Sequence, residues 1–181
     1  MIIVLSILMM SMAVVPRAEC VVTDAMRAEA LTLSWQDFDQ NGDSQAGMRK
    51  LALASCFREA AELQEYYIAN RKGLSPKEIL NSHFHIGQNY ANASMPNRAL
   101  RYFRRSLNPI QPASSGFDWN TYVLGVIAFF ERDREVLLQK MSVLRASPDP
   151  GNQMNGRALA RMNKCFDNRY RELWTQACEA P

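Results

Sequence analysis

One stretch limits what this chain can fold into more than any other. Asn81 to Pro112 reads NSHFHIGQNYANASMPNRALRYFRRSLNPIQP. Two helical patterns are joined at Ser94-Met95-Pro96-Asn97 and closed by Pro109. Ile86, Gly87 and Tyr90 mark the first, and Ala99, Phe103 and Ser106 mark the second. A small residue such as Gly87 lets two helices approach closely, with Ala99 opposite, while Tyr90 and Phe103 fill the space toward a neighbour. A lone hairpin cannot bury such a face, so the pattern demands stacked hairpins.

Other parts of the chain supply them. Gly87 recurs as Gly125, Ala99 as Leu137, Phe103 as Met141 and Pro112 as Pro150, all 38 residues on. Ala60 precedes Ala99 by 39, and Leu173 follows Leu137 by 36. The corners are alike in flavour: Phe57-Arg58-Glu59-Ala60, Pro96-Asn97-Arg98-Ala99, Asp133-Arg134-Glu135-Val136 and Asn168-Arg169-Tyr170-Arg171. This predicts four helical hairpins, with the first and last as atypical caps.

The order of small and large residues in 81–112 resembles a tetratricopeptide repeat (TPR), a helix–turn–helix unit of about 34 residues. The resemblance implies an all-α, right-handed solenoid of about four antiparallel hairpins. It also implies a concave groove, lined by the first helix of each hairpin, where a protein or peptide partner would lie. On this chain the implied groove residues are Asn81, Phe84, Gln88 and Asn92, and in the next unit Trp119, Tyr122, Val126 and Phe130. No Lys/Arg/Asn clamp like that of carboxylate-binding TPR domains is visible. Ser34 to Gln40, His85 to Gln88, Trp119 to Val123 and Cys165 to Tyr170 also resemble small exported bacterial proteins. That likeness implies a location and no activity.

Local signals place the remaining helices. Thr23-Asp24 reads as a cap for a helix with Met26, Ala30 and Leu33 inward, ending near Trp35 to Phe38. Gly47 to Cys56 is a short helical pattern. Phe57 to Arg71 follows, its apolar stripe interrupted only by Gln64. Gly73 stops that helix, and Ser75-Pro76-Lys77-Glu78 starts the next with a capping-box pattern.

Asp37-Phe38-Asp39-Gln40-Asn41-Gly42-Asp43 looks like the opening of a calcium loop. Ser44 stands where an apolar residue belongs, and Met48 where the closing bidentate glutamate belongs, so the stretch reads as a solvated turn. His83 and His85 point about 200° apart on a helix and cannot share one metal. No phosphate loop, nucleophile elbow or HExxH pattern occurs. Arg98, Arg101, Arg104 and Arg105 form a basic surface, read as a solvated outer face that an acidic or headgroup partner would suit.

Residues 1–18 carry an apolar run, Ile2 to Val15, with no acid before Glu19. They read as an export signal, with an uncleaved anchor as the alternative. Residues 19–181 then form one domain. In an oxidising compartment Cys20, Cys56, Cys165 and Cys178 allow two disulfides in three connectivities, and their spacing matches no zinc site. Local pairing would staple each end. An unbroken helix over 168–178, however, would carry Cys178 about 15 Å away. The net charge of +3 is spread along the chain, which argues against nucleic acid. The reading is a non-enzymatic, periplasmic or secreted protein-interaction module without metal or cofactor. The alternative is a small exported enzyme, or a calcium-regulated binder using Asp37 to Asp43.

Overall fold

The computed structural model describes residues 20–112 and 116–180, and these are all-α. The helices are α1 (Asp24–Ala30), α2 (Met48–Leu53), α3 (Phe57–Asn70), α4 (Pro76–Asn92), α5 (Pro96–Arg105), α6 (Trp119–Glu131), α7 (Arg134–Ala146) and α8 (Pro150–Lys164). Each of α2 to α8 packs on its neighbour in sequence, α1 packs on α3, and α6 also meets α8. The expected export signal lies outside the described residues. No helix among them is long and apolar enough to cross a membrane.

Three corners are built alike. Ser55, Ser94 and Arg132 hold left-handed backbone, with φ of 62°, 60° and 62°. The residue after each donates its N–H to the carbonyl five positions back: Cys56 to Leu51, Met95 to Tyr90 and Asp133 to Ala128, all at 2.9 Å. That bond is the mark of a Schellman-type helix end, which satisfies orphan carbonyls and turns the chain into the next helix. Helix α4 starts as its sequence demands. Ser75 Oγ accepts from Glu78 N at 3.3 Å, and Glu78 Oε2 accepts from Ser75 N at 2.7 Å.

Two ends differ from expectation. Helix α1 stops at Ala30, because Thr32 Oγ1 and N both bond back to the Glu29 carbonyl. Ser34 then starts a separate π-helical turn, Gln36–Gln40, by accepting from Asp37 N. The fourth hairpin lacks its second helix: after α8 the chain makes only two 3₁₀ turns, Tyr170–Glu172 and Gln176–Cys178. This break lets Cys178 return to Cys165, with Cα atoms 5.6 Å apart. Cys20 pairs with Cys56 at 5.3 Å, so of the three possible connectivities the local one is present. Such bridges persist in oxidising compartments.

The interior divides into two cores. The smaller gathers Ala30, Phe38, Met48, Leu51, Ala60, Leu63 and Tyr67 around α2 and α3, with Phe38 stacked on Tyr67 at 3.9 Å. The larger runs from α4 to the C-terminal turns through Phe84, Tyr90, Phe103, Val126, Leu137, Leu159 and Leu173.

Candidate functional site

The eight residues expected to line a groove do not stay together. Phe84 is only 4% exposed and Tyr122 only 6%. Both belong to the larger core, where the Phe84 ring lies 5.0 Å from Trp119, 5.3 Å from Tyr122 and 5.2 Å from Phe103. Their aromatic side chains reach from α4 to α6 and bury each other, so neither is available to a partner in this conformation. Val126 is buried as well, and Phe130 packs against Tyr170. The middle of the α4 stripe is therefore closed, and only its two ends open to solvent.

At the N-terminal end, Asn81 and Trp119 border a cleft of about 310 Å³ with Pro76, Leu80, Ile110 and Phe117. Trp119 is anchored there by its Nε1, which donates to the Ser106 carbonyl at 2.7 Å. At the C-terminal end, Gln88 and Asn92 line a cleft of about 270 Å³ with Leu53, Phe57, Tyr170 and Trp174. It adjoins a larger one of about 530 Å³, which shares Phe57 and Asn92 and reaches Arg58 and Arg171.

The wall formed by Tyr170 and Trp174 comes from the irregular segment after α8, which stands where the pattern predicts the second helix of the last hairpin. Tyr170 is buried against Phe130, and its hydroxyl accepts from Gln88 Nε2 at a long 3.4 Å. Burial pushes its phenol up to about 12, so it stays neutral and able to donate. Arg161 holds the segment by donating to the Leu173 carbonyl at 3.2 Å and stacking over Trp174 at 5.6 Å. Leu53 and Trp174 are nonetheless 72% and 45% exposed. Two large apolar side chains thus stand at the rim of a floor that carries two amides.

A second group of residues corrects part of the solvated-turn reading of 37–43: Asp37, Gln40, Asn41 and Asp43 are exposed, but Phe38 and Asp39 are not. Asp39 is fully buried. Its carboxylate accepts from Gln64 Nε2 and Gln40 Nε2 and lies 3.7 Å from Arg49 Nη2. His85 Nδ1 is 2.7 Å from Asp39 Oδ1, an ion-pair distance at which the ring N–H is not aligned for a hydrogen bond. A buried carboxylate requires such compensation, since desolvation alone would strongly disfavour its charge. A signal for this existed: Gln64 interrupts an apolar stripe, and a polar residue there needs a partner. His83 turns the other way, its Nδ1 3.3 Å from the Arg105 carbonyl. Burial, then Arg105, push its imidazole down to about 4.

Two other side-chain oxygens of the loop are used locally. Asp37 Oδ2 accepts from Ser34 Oγ at 2.6 Å, and Asn41 Oδ1 accepts from Asp43 N at 3.0 Å. With Asp39 turned inward, the alternating ligand pattern loses its second carboxylate. Neither Asp39 nor His85 lines any of the clefts above. No protein-family model, curated protein or solved structure matches the chain.

Proposed function

We propose that this chain is a non-enzymatic, exported protein-interaction module, a TPR-like solenoid that binds an extended peptide segment at the C-terminal end of α4. Support for the repeat comes from the three like corners, whose left-handed residues are 39 and 38 residues apart. Ala60, Ala99 and Leu137 each lie five residues beyond one of them and are each fully buried. Support for an exported, periplasmic location comes from the two disulfides and the apolar leader sequence.

The observation that carries the binding reading is the Gln88–Asn92 cleft with exposed Leu53 and Trp174 at its rim. Side-chain amides can pair with both N–H and C=O of an extended peptide. A partly exposed Trp supplies apolar area at little entropic cost. The Gln88–Tyr170 bond is long enough to be exchanged for a peptide group without loss of a strong contact.

The test is a photo-crosslinker at position 53, with recovery of partners from an envelope extract. Gln88→Ala with Asn92→Ala should abolish the crosslink, and Trp174→Ala should weaken it at least tenfold. If every crosslinked partner survives both changes, the cleft is not the binding surface.

A further inference from the structure

Helix α5 carries four arginines, and they are not equivalent. Arg104 has its own carboxylate, Glu131, to which its Nη2 donates at 2.5 Å. Arg98, Arg101 and Arg105 instead line a cleft of about 240 Å³ together with Tyr102 and Glu65. Their spacing of three and four residues places them on one face of the helix.

The charge in that cleft does not balance. Arg98 reaches Glu62 only at 3.8 Å, and Glu62 is already held by Arg58 Nε at 2.9 Å. Among the described residues, no carboxylate lies within ion-pair distance of Arg101 or Arg105. Arg105 lies over the Tyr102 ring at 5.1 Å and Arg98 over the Tyr90 ring at 5.2 Å, so both guanidiniums are braced by a flat wall. Glu65 is the one acid lining the cleft. Its carboxylate accepts from the Tyr90 hydroxyl at 2.6 Å and interacts with the Tyr102 hydroxyl. The imidazole of His83, beside Tyr102 at 5.8 Å, adds no negative charge.

We infer that Arg98, Arg101 and Arg105 form a binding site for a phosphate group, carried by a small phosphomonoester or by a lipid headgroup. Guanidinium groups present paired N–H donors that match oxyanions, and ring stacking orients them at low entropic cost. A dianion with oxygens on several sides can engage more than one of the three arginines. A monocarboxylate, presenting only two oxygens in one plane, engages fewer. A cleft of this size admits an oxyanion with a short substituent and excludes a folded domain. The site is separate from the α4 cleft, so its failure would leave the peptide-binding reading untouched.

The test uses the full chain and follows the arginine Nε–Hε resonances by NMR. Inorganic phosphate should shift Arg101 and Arg105 saturably, and acetate at equal ionic strength should bind at least tenfold more weakly. Arg101→Gln and Arg105→Gln should each weaken phosphate at least tenfold without moving the melting temperature. Arg157→Gln, an exposed arginine on α8, should change nothing. Glu65→Gln, which removes the cleft's own charge but keeps an acceptor, should tighten phosphate severalfold. Phosphatidylcholine vesicles with and without phosphatidic acid distinguish the source. Vesicle binding lost in Arg101→Gln assigns a headgroup, and binding of free phosphate alone assigns a soluble ester. The proposal is overturned by unsaturable shifts, by equal response to acetate, by equal loss in Arg157→Gln, or by vesicle binding that Arg101→Gln leaves intact.

Discussion

The first hairpin, α2 with α3, and the second, α4 with α5, turn the same corner and fill it in opposite ways. Counted from their left-handed residues, Gly87 corresponds to Met48 and Phe103 to Gln64. In the second hairpin the Phe103 ring lies directly over Gly87, where an added Cβ would come within 2.8 Å of it. In the first hairpin the large and small partners are exchanged. Met48 is buried and its sulfur accepts from Asn89 Nδ2 at 3.2 Å, while Gln64 reaches into the turn before α2 and meets Asp39. An aromatic contact within the hairpin has been replaced by a buried polar cluster that ties α3, α4 and a non-repeating N-terminal segment together. Apolar packing tolerates small slips, whereas a buried carboxylate has one acceptable set of neighbours. The polar device thus suits the first hairpin, which no other hairpin precedes among the described residues.

The strongest way to break the first hairpin selectively is Asp39→Ala. It leaves Gln64 without its acceptor and Arg49 without its counter-charge, and should cost about 3–5 kcal/mol in thermal or urea denaturation. Arg49→Ala should cost clearly less, because the Arg49 side chain is already 32% exposed and water can replace it. Equal stability of Asp39→Ala and wild type would show that the cluster does not organise this core.

Next come the staples. Replacing Cys20 and Cys56 together by Ser opens a loop set by a separation of 36 residues, against 13 for Cys165 and Cys178. Loop entropy gives about 4 kcal/mol for the first and about 3 kcal/mol for the second. Comparing the urea midpoints of the two double variants checks the order. The reverse order would mean that the C-terminal turns depend on their bridge for more than chain entropy.

A smaller effect is expected where hairpins meet closely. Gly125→Ala drives a Cβ into Leu159, whose Cδ2 would stand 2.9 Å away, and should cost about 1–3 kcal/mol. Shortening the obstacle with Leu159→Val should recover part of that loss. If it does not, backbone flexibility rather than contact is what Gly125 supplies.

The smallest effect concerns pH. His83 has a folded value lowered from 6.5 to about 4, so protonation favours the unfolded chain. Its contribution is complete above about pH 6.5 and is lost as pH falls toward 4. His83→Gln should flatten the stability profile in that window, and an unchanged profile would remove His83 as a source of acid sensitivity.

Much of the helical layout could be read from residues alone. Ser75 and Glu78, Gly73, and the helix starts at Pro96 and Asp133 announce their structures through local chemistry, which needs no distant partner, whereas the left-handed backbone at Ser94 and Arg132 does not. The ends of the chain were less legible. Thr32 and Ser34 interrupt a pattern that continues apolar through Leu33, and the turns after α8 follow from the bridge to Cys178 as much as from local preference. Within the candidate cleft, Gln88 and Asn92 were identifiable by their place on α4. Trp174 and Leu53 were not, because they come from segments 86 and 35 residues away from Gln88.

What the residues determined by themselves was periodicity: which faces are apolar, where helices start and stop, and that neighbouring helices must cover one another. These are properties of a few consecutive residues and their backbone hydrogen bonds. Tertiary structure decided which members of one stripe remain open. Phe84 and Gln88 lie on the same face of α4, yet Phe84 meets α6 and is buried, while Gln88 meets a short irregular segment that leaves a gap. It also decided that Asp39, written in a stretch that looks like a solvated loop, would end inside the protein. Burial is set by whatever packs on top of a residue, and for Asp39 that comes from Gln64 and His85, 25 and 46 positions further along.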